Sequence, residues 1–164
     1  YILPALESTR RAVDVDITEQ TIGGVRTDVV VPTAGISPAN RNRVLINLHG
    51  GAFMVAGRYG GQIEAMTVAN SARIKVVAVD YRMWPEVRFP SASEDVANVY
   101  RHLLETYSPE NIEIYGCSAG ALLAAQAMAC FSARLRCIFS LVVGWEGINR
   151  FRVTPPWVRL MTPS

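Results

Sequence analysis

The chain has 164 residues, half of them hydrophobic and 18% charged, with 16 basic against 14 acidic side chains and a net charge of +2. That composition excludes a disordered chain and suffices for one compact core. It also excludes the broad basic footprint of a nucleic-acid binder, and no apolar run reaches the ~20 residues that span a bilayer.

Alternation through Ala12-Val13-Asp14-Val15-Asp16-Ile17 predicts a half-buried edge strand. Gly23-Gly24 predicts a tight turn into a second strand over Val25–Val31, which Pro32 stops. Residues 32–43, rich in Pro, Ser, Asn and Gly, read as loop. Val44–Leu48 and Lys75–Val79 are short, nearly continuous apolar runs, the pattern of parallel strands covered on both faces. Between them, Gln62–Ala72 carries Ile63, Met66, Ala69 and Ala72 on roughly one helical face. Ser91–Thr106 begins after Pro90 and has Val96, Val99, Tyr100, Leu103 and Leu104 at helical spacing. Glu94 and Asp95 lie in its first turn, where negative charge suits the helix dipole. Ile112–Tyr115 makes a fifth strand, and the alanine-rich Ala119–Ala133 a third helix. The alternation predicts an α/β architecture, a mostly parallel, doubly wound sheet flanked by helices.

Composition changes after residue 133. Residues 1–133 hold 11 basic and 13 acidic groups, whereas residues 134–164 hold five arginines against Glu146 alone, with Pro155, Pro156, Trp157 and Pro163 close by. Two readings stand for this stretch: a solvated basic end, or a segment foreign to the fold begun upstream, produced by truncation or a shifted reading frame. Ile138–Val143 keeps the pattern of a sixth strand. Cys117, Cys130 and Cys137 cannot all pair and match no zinc spacing, so the expected setting is reduced and cytoplasmic, with no metal. Position 1 is Tyr, so the lack of a leader sequence decides nothing.

Two glycine motifs carry chemistry. Gly116-Cys117-Ser118-Ala119-Gly120 is a G-x-S-x-G sequence between a predicted strand and a predicted helix. A serine on so sharp a turn needs neighbours nearly free of side chains, and Ala119 offers a backbone N–H beside its hydroxyl. His49-Gly50-Gly51-Ala52-Phe53 follows the Val44–Leu48 strand. Such a loop supplies N–H donors to the oxyanion of an acyl-transfer intermediate, though it also reads as an ordinary Gly-Gly turn with a satisfied histidine. No dinucleotide fingerprint, phosphate loop or His-Glu-x-x-His occurs, so no cofactor is expected.

Together with Asp80-Tyr81-Arg82-Met83-Trp84-Pro85-Glu86 and Phe89-Pro90, these motifs identify a resemblance. From about Val13 to about Phe131 the chain resembles the hormone-sensitive-lipase-like branch of the α/β-hydrolases, with Trp84 where that family usually has Ala. The resemblance implies a partial α/β-hydrolase fold in residues 1–133, with 134–164 an atypical tail. It implies a carboxylic-ester hydrolase with Ser118 as nucleophile and the amides of Gly51, Ala52 and Ala119 as oxyanion hole. His49 and Gly50 then shape that loop, and the partner is a small-molecule ester. Asp80, Tyr81, Glu86 and Asp95 read as structural, His102 as a helix histidine, and Cys117 as an elbow side chain.

One part of the family pattern has no counterpart. The triad runs Ser, then Asp or Glu, then His along the chain, yet Glu146 is the one acid after Ser118 and no histidine follows it. Serine without an adjacent base is a weak nucleophile, so the chain as written is expected to be nearly inactive. The alternative implied by the resemblance is a binding or receptor module that keeps the fold and lacks the catalytic histidine.

Overall fold

The computed structural model describes residues 2–132. In chain order the elements are α1 (Ile2–Ala12), β1 (Val15–Ile22), β2 (Val25–Pro32), β3 (Val44–Leu48), α2 (Gly57–Ala72), β4 (Lys75–Val79), α3 (Ser91–Leu103), β5 (Ile112–Gly116) and α4 (Ala119–Ser132). They form one five-stranded sheet in the order β1-β2-β4-β3-β5. β2 pairs antiparallel with β1 and β4, while β3 pairs parallel with β4 and β5. Four strands therefore share a direction and β2 opposes them, the mostly parallel sheet that the apolar runs predict. The β1–β2 hairpin turns on Gly23 and Gly24, both at positive φ, as a two-residue primed turn requires.

Strand periodicity divides the side chains between two cores. On one face Val44, Ile46, Leu48, Val77 and Val79 meet Val96, Val99 and Leu103 of α3 and Leu123 and Ala127 of α4. On the other, Val30, Val76 and Ala78 meet Ala65, Met66 and Ala69 of α2 and Leu6 of α1. The second face also carries charge. Buried Asp28 on β2 accepts two hydrogen bonds of 2.8 Å from Arg58 and one of 2.7 Å from Gln62, which dock the start of α2 onto the sheet.

Four elements depart from the sequence expectations. β1 covers Val15–Ile22, later than the alternation over Ala12–Ile17 predicts, because α1 takes Ala12 and the hairpin carries the strand on to its turn. α1 is a helix that the alternation beginning at Ala12 conceals; its less exposed positions Ile2, Leu6, Thr9 and Val13 recur at helical spacing. α2 starts at Gly57, five residues before Gln62, because Gly57, Gly60 and Gly61 are helical here although glycine disfavours helices. α3 stops at Leu103, three residues short of Thr106. The expectations for residues 134–164, the sixth strand included, lie outside the described residues. Among the described residues no helix is long and apolar enough to cross a membrane.

Candidate active site

β5 ends at Gly116 and α4 begins at Ala119, leaving Cys117 and Ser118 to turn the corner. Ser118 is exposed and held at φ +50°, a left-handed conformation that non-glycine residues seldom adopt. The turn is close-packed on β3. A Cβ built on Gly120 would lie 1.8 Å from the Leu48 carbonyl oxygen, and one on Gly116 2.4 Å from the same atom. Both positions admit glycine alone. Within the turn, the Gly120 N–H donates to the Cys117 carbonyl at 2.8 Å and the Ala121 N–H to that of Ser118 at 3.0 Å.

The loop after β3 coils tightly. The Gly51 carbonyl accepts from the Met54 and Val55 amides at 2.9 and 3.0 Å. Gly51, Ala52 and Phe53 all have positive φ, at 113°, 54° and 60°. Glycine is required at 51, where a Cβ would sit 2.0 Å from the Val55 oxygen, while Ala52 adopts its left-handed conformation at a steric cost. The Gly51 and Ala52 amides have no hydrogen-bond partner among the described residues. This loop abuts the serine turn, since a Cβ on Gly50 would lie 3.1 Å from the Cys117 oxygen and 3.6 Å from the Ser118 Cβ.

His49 and Tyr81 brace the loop from below. The buried His49 ring stacks on Tyr81 with centroids 4.3 Å apart, and its Nδ1 lies 2.6 Å from the Gly50 carbonyl oxygen. The Tyr81 hydroxyl donates to the His49 carbonyl at 2.7 Å. An Nδ1 placed against a carbonyl carries the proton, and burial lowers the His49 pKa, so the ring is neutral. The Gly50–Gly51 peptide is trans, so its N–H points opposite to the carbonyl that His49 holds. The Trp84 N–H donates to the Phe53 carbonyl at 3.0 Å, tying the 80–86 segment to the same loop.

The remaining residues singled out in the sequence have other surroundings. Asp80 pairs with Arg26, Asp95 takes the Arg82 backbone and guanidinium, and Glu86 is exposed. His102 lies exposed on α3 with its Nδ1 3.6 Å from a Glu105 carboxylate oxygen. Cys117 is an exposed free thiol. Sequence reading missed Glu64 of α2, which accepts from Asn47 Nδ2 at 3.0 Å and faces the Gly50 N–H at 3.4 Å. The one local signal for it was a carboxylate directly before the buried pair Ala65 and Met66. Among the described residues no three His, Cys, Asp or Glu side chains converge as metal ligands would.

A sequence model of the alpha/beta hydrolase fold family matches residues 45–151, a range that includes both turns. The versiconal hemiacetal acetate esterase stcI of Emericella nidulans is 31% identical over 110 residues, which is 67% of this chain and 37% of that protein. Among solved structures, esterase E25 superposes with a TM-score of 0.74 at 31% identity, covering 81% of this chain and 41% of that one. An esterase from the bacterial hormone-sensitive lipase family superposes at 0.68 with 27% identity, covering 74% and 40%. The chain thus spans about two fifths of the length of these proteins.

Proposed function

Because the chain belongs to the alpha/beta hydrolase fold family, in its hormone-sensitive-lipase-like branch, we propose that it carries the nucleophile and oxyanion hole of a carboxylic-ester hydrolase. The observation that carries this reading is the exposed Ser118 at positive φ on a strand–helix turn, pressed against the Gly50-Gly51 loop. Ser118 Oγ attacks the ester carbonyl. The resulting oxyanion takes hydrogen bonds from the Gly51, Ala52 and Ala119 amides, donors fixed in advance by the two turns. Collapse expels the alcohol, which leaves with the proton that Ser118 gave up, and water hydrolyses the remaining acyl-serine to the acid and the free hydroxyl. His49 and Gly50 shape the loop and do not move the proton, since the whole His49 ring, Nε2 included, is buried against Tyr81 while Ser118 is exposed. His102, exposed and beside Glu105, is no better placed.

In this reading residues 1–133 form the N-terminal part of the hydrolase domain and 134–164 an atypical tail, although the family match continues to residue 151. The substrate is a small ester, the protein is cytoplasmic, and neither nucleic acid nor a cofactor takes part. The acetate ester in the name of the stcI relative makes p-nitrophenyl acetate the natural probe. In any longer form of this chain that supplies a base, Ser118→Ala is expected to cut kcat on this ester by at least ~10³-fold. In the 164-residue chain, where no histidine follows Ser118, turnover is expected to equal that of Ser118→Ala. Ester binding without Ser118-dependent turnover in that longer form would favour the receptor reading instead.

A further inference from the structure

We propose that Glu64 is a positioning residue for the oxyanion loop, holding the Gly50 amide while His49 holds the Gly50 carbonyl. This rests on the reading of Gly51 and Ala52 as oxyanion donors. α2 approaches the end of β3 through Gly61, where a Cβ would meet Asn47 Oδ1 at 3.6 Å and His49 Cδ2 at 3.8 Å. Glu64 follows three residues later and so projects from the same side of the helix. One carboxylate oxygen accepts from Asn47 Nδ2 at 3.0 Å, and the other faces the Gly50 N–H at 3.4 Å. That second distance is long for a hydrogen bond. The negative charge nonetheless attracts the amide in surroundings where Asn47 and His49 are fully buried and screening is weak.

The peptide planes show what this contact does. The His49–Gly50 plane is held at its carbonyl by the Tyr81 hydroxyl and at its N–H by Glu64. The Gly50–Gly51 plane is held at its carbonyl by His49 Nδ1. Three of the four polar groups on two consecutive peptides therefore have internal partners. The fourth is the Gly51 N–H, which has none among the described residues. Fixing the first plane fixes the hinge on which the second turns, so Glu64 acts on the direction of the Gly51 donor without touching substrate.

The test has two arms. In a longer form of this chain that supplies a base, Glu64→Leu is expected to lower kcat on p-nitrophenyl acetate about tenfold with KM within twofold, because a misaimed donor is felt in the transition state. Glu64→Gln, which keeps a carbonyl acceptor, is expected to recover most of that loss. In the 164-residue chain, with circular dichroism confirming an intact fold, the Gly50 amide of Glu64→Leu is expected to move upfield and exchange roughly tenfold faster. A folded Glu64→Leu with unchanged Gly50 exchange overturns the proposal, as does a loss confined to KM. Should Ser118→Ala retain full turnover in that longer form, the hydrolase reading fails, and the Gly50 amide still decides whether Glu64 holds the loop.

Discussion

Residues 46 and 47 are chain neighbours on β3, yet they enter different surroundings. Ile46 joins a largely aliphatic cluster under α3 and α4. Asn47, equally buried, enters the space beneath α2 with Glu64, His49 and the Tyr115 hydroxyl, where Asn47 Oδ1 and His49 Nε2 have no hydrogen-bond partner among the described residues. Burial, reinforced by the nearby Glu64 charge, pushes the Tyr81 and Tyr115 phenols up, so both stay neutral. The face under α3 and α4 holds the larger hydrophobic cluster. The opposite face accepts the cost of buried polar groups beside Asn47, and those groups reach the loop after β3.

This division is sharpest at the level of single side chains. Ile46→Ala is expected to lower unfolding free energy by about 3 kcal/mol, through lost burial and the cavity left behind. Asn47→Ala should cost only about 1–2 kcal/mol, the worth of its bond to a charged partner. Urea titrations of the two variants compare the faces directly, and equal losses would erase the distinction. In the opposite direction, Ala52→Gly is expected to raise stability by about 1 kcal/mol by relieving the left-handed alanine, read as a higher urea midpoint.

The smallest effect is a pH dependence confined to the polar face. His49 has its folded pKa below the ordinary 6.5, so the unfolded chain takes up the proton first. Stability attributable to His49 is therefore complete above about pH 6.5 and falls as pH drops through 6.5 toward the lowered folded value. Urea midpoints between pH 7.5 and 5 should show this decline in the wild type and a shallower one in His49→Gln.

Both glycine motifs were legible because each encodes a local backbone shape: the serine turn by Gly116 and Gly120, the loop after β3 by Gly50 and Gly51. The five strands were legible for a similar reason, since Val44–Leu48 and Lys75–Val79 announce their burial in five residues. The start of α2 was not, because Gly57, Gly60 and Gly61 read as helix breakers, while their use is to admit the helix close to Asn47 and His49. Glu64 was hidden for the same cause. Its partners Asn47 and Gly50 are 17 and 14 residues away, and a contact across a helix–sheet interface leaves no periodicity in the chain. The hairpin's place beside β4 was equally non-local, since β2 must skip β3 to pair there.

The atoms on which the serine turn bears limit how this site can vary. At Gly120 the nearest neighbours of an added Cβ are the Leu48 oxygen and carbon and the His49 oxygen; at Gly116 they are the Leu48 oxygen and the Gly120 carbonyl. All of them are main chain. No exchange of side chain at position 48 can make room, because every residue brings the same carbonyl. The two glycines therefore have no side-chain suppressor, and an exchange of one core side chain for another at position 48 leaves the constraint on positions 116 and 120 as it is.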